Sequence, residues 1–104
     1  IDDFDKVQIQ VCEVIKCEPV PKAKKLLVSQ IKIGAETRQI VSGIAKYYKP
    51  EEMVGKKVAV ITNLKPCKLC GVESQGMILA AGDDEGNLSV VTVDKDIVSG
   101  SEIC

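Results

Sequence analysis

Apolar residues recur at every second position near the start of the chain, which is the pattern of half-buried β-strands. The first such run starts at Val7 and continues to Ile15. We expect Pro19-Val20-Pro21 to end this strand, because proline cannot donate a ladder hydrogen bond, and the lysine-rich residues 22–25 to form an exposed turn. Two further strands are expected at residues 26–33 and 37–41.

The second half of the chain predicts one short helix followed by more strands. The helix falls between Ala45 and Val54, where Pro50 suits a first helical turn and two glutamates follow it at the positive end of the helix dipole. Residues 57–62 are apolar on both faces of a strand, as expected deep in a β-barrel. Further strands are expected at residues 77–81 and 88–93, with a turn at 82–87 between them and a partly irregular tail after them.

Three strands, a short helix and then more strands are typical of the OB-fold, a five-stranded Greek-key barrel. We therefore predict an all-β OB-fold barrel with its one short helix between strands 3 and 4 and a C-terminal extension. A chain of 104 residues has the size of one domain, so residues 1–104 are expected to form a single domain.

A polar stretch separates two of the predicted buried strands. It begins at Asn63, continues with Lys65 and Lys68 around a proline, and ends in a segment bounded by Gly71 and Gly76. Proline and glycine restrict such a loop to specific backbone angles, and a rigid loop on a β-scaffold is a common way to present a binding surface. The alternative is an ordinary surface hairpin with solvated lysines.

Charge is segregated along the chain although its net value is only −1. Eleven of the 14 lysines and arginines, but only three of the 15 acidic residues, lie between residues 22 and 68, so that segment carries +8. This distribution favours a molecule with one cationic face. The alternative is that the lysines are scattered around the fold.

The composition argues against an enzyme. The chain has no histidine, which removes the commonest general base, the usual partners of catalytic serine and cysteine, and most catalytic zinc sites. Carboxylates and lysines remain, but no two of them form a recognisable catalytic arrangement. We expect no catalytic residue, no cofactor and no bound metal.

The five cysteines include one CxxC pair, Cys67 and Cys70. An odd number of cysteines without a secretory signal favours reduced thiols. Zinc would require four ligands, and a thioredoxin-like site would place the motif at a helix N-terminus rather than in a loop between strands. We interpret the pair as two incidental thiols, with a redox or metal protein as the alternative.

The sequence contains no apolar run long enough to span a bilayer and no signal-peptide pattern, because acidic residues occupy the first positions. We expect a cytoplasmic protein without membrane partners.

Two segments of the chain carry a family resemblance: RQIVSGI at residues 38–44, and NLKP at 63–66 followed by GVESQGM at 71–77. They resemble the tRNA-binding domain at the C-terminus of many bacterial methionyl-tRNA synthetases, which is related to free-standing tRNA-binding proteins and to EMAP II-like cytokine precursors. The resemblance runs from Phe4 to about Gly100. Residues 1–4 are similar to the junction after a synthetase body, so we expect an excised domain whose catalytic body lies in cis.

The resemblance implies an OB-fold homodimer that binds tRNA by shape, at the outside of its L-shaped corner, and increases tRNA affinity without aminoacylating it. Lysine and arginine would neutralise phosphates, and asparagine and serine would donate to phosphate or 2′-hydroxyl oxygens. The positions that match the family's binding surface are Lys32, Arg38, Asn63, Lys65, Lys68, Ser74 and Met77.

Two of these positions have an ordinary structural alternative. Met77 could pack against a sugar or a base, or it could be a core residue at the start of a strand. Arg38 could contact RNA, or it could be a strand residue paired with Glu36 or another acid.

The sequence departs from the family pattern in two places. Relatives often carry an arginine where Cys67 or Cys70 stands, so this loop is less cationic than usual. They also carry an acidic residue and an arginine where Gln8 and Gln10 stand. The first departure bears on RNA affinity, and the second on any ion pair made by the first strand.

Aromatic residues are too few and too poorly placed for base stacking. The chain has only Phe4, Tyr47 and Tyr48, and none of them lies in a predicted barrel strand. OB-folds that bind single-stranded nucleic acid stack bases on aromatic side chains. Folded RNA, contacted through its backbone and shape, is therefore the expected partner, and a peptide-binding, chaperone-like homodimer of the same superfamily is the alternative function.

Overall fold

The computed structural model describes residues 7–103, and their backbone is almost entirely extended. One helix, α1, covers Pro50–Met53, inside the range predicted for it. The strands are β1 Ile9–Val20, β2 Ala23–Ile33, β3 Glu36–Ser42, β4 Lys57–Ile61, β5 Cys67–Leu69, β6 Val72–Ser74, β7 Met77–Ile78, β8 Ala80–Gly82 and β9 Leu88–Val90.

Five of these strands form one antiparallel sheet in the order β3-β2-β1-β4-β7. The two edge strands, β3 and β7, also contact each other, so the sheet curls until its edges meet. This strand order, with α1 between β3 and β4, confirms the predicted OB-fold.

The interior of the curled sheet is apolar and closely packed. Val58, Ala59 and Val60 of β4 are all at most 2% exposed, which confirms the prediction that this strand is covered on both faces. Val58 and Val60 belong to the core, and beyond β7 the edge of β4 is paired with the chain after β9, where the backbone N–H of Ala59 donates to the carbonyl of Val91. Met53 of α1 is fully buried beneath the same core.

The end of the chain adds a strand-like segment beside β1. The backbone N–H of Val11 donates to the carbonyl of Ser101, and the N–H of Ile103 donates to the carbonyl of Ile9, both at 2.8 Å. This segment is the predicted C-terminal extension. It pairs with the part of β1 that β2 leaves open and so covers an exposed strand edge.

Two predicted boundaries near the first turn were wrong. β1 runs through Pro19 to Val20, and β2 begins at Ala23 rather than at residue 26, so the turn consists of Pro21 and Lys22 alone. The pairing register shifts between Pro19 and Val20. A proline is tolerated at such an irregularity because no ladder hydrogen bond is required of its nitrogen there.

The predicted strand over residues 77–81 is divided at Leu79. β7 pairs with β4, whereas β8 pairs with β9 in a separate hairpin. Leu79 lies between β7 and β8. Its N–H donates to the carbonyl of Ala59, and its carbonyl accepts from the N–H of Val91. The strand predicted to reach residue 93 ends at Val90 for the same reason: the chain leaves the β8–β9 hairpin to run beside β4.

Within the described residues, no helix is long and apolar enough to cross a membrane.

Candidate nucleic-acid interface

The polar stretch between β4 and β7 is an exposed hairpin, formed by β5 and β6. Leu69 and Val72 are paired across a two-residue turn, whose residues Cys70 and Gly71 have φ angles of 50° and 82°. Two successive positive φ angles are the signature of a type I′ turn, whose twist matches that of a hairpin. The backbone of this stretch is therefore a surface hairpin, the structure that the sequence analysis gave as the alternative to a rigid binding loop.

This hairpin separates the two thiols of the CxxC motif. Cys67 lies on β5 and Cys70 in the turn, both exposed. At about 3.3 Å per residue along an extended strand, their Cα atoms are roughly 10 Å apart, beyond the separation of about 7 Å that a disulfide bridges. Among the described residues, no three metal-binding side chains are grouped together.

The GVESQGM segment joins the two edges of the barrel. Ser74 is only 2% exposed; its hydroxyl accepts from the backbone N–H of Val41 at 2.9 Å and donates to the carbonyl of Gly76 at 3.0 Å. The backbone N–H of Gln75 donates to the carbonyl of Gln39 at 2.8 Å, while its side-chain carbonyl accepts from the N–H of Gln39 at 3.0 Å. These bonds give the motif a structural role that the sequence analysis did not identify.

Gly76 is required at this seam for steric reasons. A Cβ atom on this residue would lie 2.8 Å from the carbonyl oxygen of Ile61 and 3.2 Å from the side chain of Ile40. Only glycine lets β7 approach β4 so closely.

Arg38 and Asn63 are brought together at the end of β4. The Arg38 guanidinium forms an ion pair with Glu36 and donates to the carbonyl of Thr62, the residue that precedes Asn63. The Asn63 side-chain oxygen accepts from the backbone N–H of Gln8 at 2.8 Å. The structural alternative for Arg38, a pair with Glu36, is therefore observed, and the Arg38 side chain remains 25% exposed.

Two more predicted positions lie near this end of β4. Met77 pairs with Ile61 and is 52% exposed, so it is a surface residue rather than a core residue at the start of its strand. Lys65 is exposed in the loop just after Asn63. Arg38, Asn63 and Met77 thus lie around the end of β4, and Lys65 follows Asn63 by two residues; the four residues are called the β4-end cluster below.

The other predicted positions lie apart from this cluster. Lys32 is exposed on β2, opposite Glu13 of β1 and Thr37 of β3. Lys68 is exposed on the hairpin, opposite Glu73, whose carboxylate reduces the local positive potential. Ser74 lies inside the seam and positions the hairpin.

Three lysines outside the predicted site face the tip of the hairpin. Lys22, Lys24 and Lys25 line a groove of about 590 Å³ whose other side includes Leu69 and Cys70. The signal in the sequence is the KAKK run itself, interpreted there as a solvated turn. The contact with the hairpin tip could not be foreseen, because it depends on how the barrel closes.

Comparisons with known proteins identify the family of the chain. Residues 9–102 match a family model described as "Putative tRNA binding domain". The chain is 61% identical, over 99% of its length, to a "Methionine–tRNA ligase" of Methanocaldococcus jannaschii, of which it spans only 16%.

Solved structures show the same architecture. The chain superposes on a "MetRS related protein from Pyrococcus horikoshii" with a TM-score of 0.93, at 40% identity over 99% of this chain and 94% of that one. The chaperone CsaA of Bacillus anthracis has the same fold, with a TM-score of 0.89, at 21% identity over 99% of this chain and 95% of that one. Because the family model matches residues 9–102, this chain belongs to the tRNA-binding domain family, to which parts of methionine–tRNA ligases are similar.

Proposed function

We propose that this chain is a non-catalytic module that binds folded tRNA by shape and so increases the tRNA affinity of a methionyl-tRNA synthetase to which it is joined. The observation that supports the proposal is the β4-end cluster, in which Arg38, Asn63, Lys65 and Met77 belong to the end of β4, the loop after it and the strands beside it. These are the groups that neutralise phosphates and contact sugars. On this proposal the chain is an excised C-terminal domain that acts in the cytoplasm.

Rigidity supports this role. Arg38 is tied to Glu36 and to the carbonyl of Thr62, and Asn63 is tied to Gln8. Groups fixed in this way lose little freedom on binding, which favours recognition of a partner that is itself rigid. A folded tRNA is such a partner, whereas a flexible single strand is not.

The small number of aromatic residues supports RNA binding through contacts to the RNA backbone rather than through base stacking. Tyr48 packs against the core, where its hydroxyl accepts from the backbone N–H of Val90, and Tyr47 lies in the turn before α1. Neither lies on a barrel strand, so within residues 7–103 no aromatic side chain on a barrel strand offers a platform for bases; Phe4 lies outside the described residues.

We further propose that the module is a homodimer. Four large apolar side chains are exposed in the chain after β9, and Val98, at 72%, is the most exposed of them; the others are Val91, Ile97 and Ile103. A group of exposed apolar residues on one segment is typical of an association surface. Sedimentation velocity should find a dimer, and Val98→Asp should shift it to monomer; a wild-type chain that stays monomeric at all concentrations would remove this part of the proposal.

The test of tRNA binding is a titration with folded tRNA at two salt concentrations, with an unstructured RNA of equal length as competitor. Folded tRNA should be preferred, and its affinity should fall as salt rises. Lys65→Ala should weaken binding, whereas Lys95→Ala, which removes an exposed lysine elsewhere, should have little effect. Binding that is independent of salt would contradict the proposal.

A further inference from the structure

Two grooves run along the β5–β6 hairpin. The lysine groove, of about 590 Å³, is lined by Lys22, Lys24, Lys25, Leu26, Leu69 and Cys70. The apolar groove, of about 430 Å³, lies between the end of β3 and the β7–β8 segment, and its lining includes Ser42, Gly43, Leu69 and Met77.

The two grooves adjoin at Leu69, which lines both of them, and together they are called the cleft. Gly43 of the apolar groove also lies near Leu26 of the lysine groove, because a Cβ atom built on Gly43 would be 3.9 Å from the Leu26 side chain. A ligand could therefore occupy both grooves at once by crossing Leu69.

The two ends of the cleft have different chemistry. Three exposed lysines line the lysine groove, although Lys24 and Lys25 are consecutive on β2 and so direct their side chains to opposite faces of that strand; no acidic side chain of the described residues lines either groove. Ser42 lines the apolar groove, and its hydroxyl oxygen is buried and has no hydrogen-bond partner among the described residues. A buried hydroxyl without a partner costs about 1–3 kcal/mol, so a ligand that supplies the missing bond would be favoured.

Resting on the proposed RNA binding, we propose that this cleft holds an unpaired nucleotide of a folded RNA. Its flanking phosphates lie beside Lys22 and Lys24, and its base lies in the apolar groove between Leu69 and Met77. The Ser42 side chain, whose hydroxyl oxygen is buried in the free protein, rotates into the groove and forms a hydrogen bond with the edge of the base.

A nucleotide fits better than other anions for two reasons. Met77 lines the apolar groove and also belongs to the β4-end cluster, so the cleft continues the proposed RNA surface. The apolar walls and the single hydroxyl match a flat base with polar edges, which can be bound by contact with its faces even where no aromatic platform exists. The cleft would thus add one local base contact to recognition by shape.

The test compares variants of the cleft with a matched control. Lys24→Ala should weaken tRNA binding several-fold and lower the slope of log affinity against log salt by about 0.7 to 0.9, the value for one phosphate contact. Lys95→Ala removes the same charge from a separate surface and should leave both unchanged. Ser42→Ala should weaken tRNA binding without altering the salt slope, because it removes no charge.

A second measurement reports on occupancy directly. Cys70 lines the lysine groove, whereas Cys67 lines neither groove. In a Cys67→Ser, Cys104→Ser background, tRNA should slow alkylation of Cys70 several-fold, and a fully paired RNA duplex should not. In the matched Cys70→Ser, Cys104→Ser background, tRNA should slow alkylation of Cys67 much less.

The outcomes separate this inference from the proposed function. If tRNA binds and Lys65→Ala weakens it, but Lys24→Ala, Ser42→Ala and the alkylation of Cys70 show no effect, the cleft proposal is overturned and the RNA-binding function stands. If tRNA does not bind at all, both are overturned. Protection of Cys70 by an acidic peptide with apolar side chains, but not by tRNA, would overturn the nucleotide proposal in favour of a peptide site.

Discussion

Gln39 and Gln75 are joined by two hydrogen bonds across the seam of the barrel. The backbone N–H of Gln75 donates to the carbonyl of Gln39, and the backbone N–H of Gln39 donates to the side-chain oxygen of Gln75. A third bond runs from the Gln39 side-chain amide to the carbonyl of Glu73 at 2.8 Å. The contact between β3 and the chain after β4 is therefore built largely from side chains rather than from a regular ladder. The hairpin that carries Lys68 is held to the barrel by these bonds.

Gln75→Ala should destabilise the fold by about 1–3 kcal/mol, because it leaves the partly buried N–H of Gln39 without its acceptor. Urea denaturation with an unchanged m-value would measure the loss. Gln75→Glu keeps an oxygen at the same place and is the matched control, expected to retain most of the stability. Equal losses in the two variants would show that the side-chain acceptor is not what stabilises the seam.

Gly76→Ala should be more damaging than glycine replacement in an open turn. The new Cβ atom would meet the carbonyl oxygen of Ile61 at 2.8 Å, whereas at Gly86 it would meet nothing within 4 Å. Gly86→Ala should lower the free energy of unfolding by about 1 kcal/mol, because of the positive φ angle alone. Gly76→Ala should lower it by about 3 kcal/mol or more, because strand β7 must also shift. Thermal or urea unfolding of the two variants gives the comparison, and a similar cost at both sites would contradict it.

Arg38→Ala should reduce both stability and tRNA binding, because Arg38 bonds to Glu36 and to the carbonyl of Thr62 as well as facing solvent. The loss of stability should be about 1–3 kcal/mol. Lys65→Ala removes a charge from an exposed loop and should weaken tRNA binding with no change in stability. Denaturation and RNA titration of both variants separate the two roles; a stable Arg38→Ala variant would show that its bonds at the barrel end contribute little.

Stability should fall as the pH rises above 9, through the buried thiol of Cys12. Burial raises the pKa of this thiol from 9.0 to about 11, although the nearby charge of Arg38 opposes the shift. The unfolded chain loses this proton at a lower pH than the folded protein does. The free energy of unfolding is therefore unaffected below pH 9 and decreases as the pH rises from 9 towards 11. Burial raises the pKa of Cys17 as well, in the same direction.

Cys12→Ala isolates this effect. The difference in unfolding free energy between wild type and Cys12→Ala should narrow by about 1–2 kcal/mol between pH 8 and pH 10.5, since only the wild type carries the thiol. Urea denaturation at both pH values measures the difference. A constant difference would mean that the Cys12 thiol titrates alike in the folded and unfolded chains.

Local pattern was sufficient for the elements and the fold class. The apolar residues 58–61 and the helix signals at Pro50 each depend on neighbours in sequence, and each was confirmed. The alternation from Val7 onward predicted a strand correctly but gave the wrong start and the wrong core face. The strand begins at Ile9, and its residues Cys12, Val14 and Cys17 belong to the core. The type I′ turn at Cys70 and Gly71 was open to the same reasoning, because glycine at its second position is a local signal.

What the sequence by itself determined about this protein is most strands of the barrel and the short helix, because hydrophobic period and turn residues act over a few positions, and, through its motifs, the family. The tertiary structure alone decided the β5–β6 hairpin, the division of the strand at Leu79 and the role of the polar groups: it placed Ser74 and Gln75 inside the seam, tied Arg38 to the end of β4, and set the lysines of the first turn against the hairpin tip. Each of the relationships made by these polar groups joins residues more than 20 positions apart. They exist only once the barrel has closed, and the physical reason is that hydrogen bonds and charge proximity depend on distance in space, which no local pattern specifies.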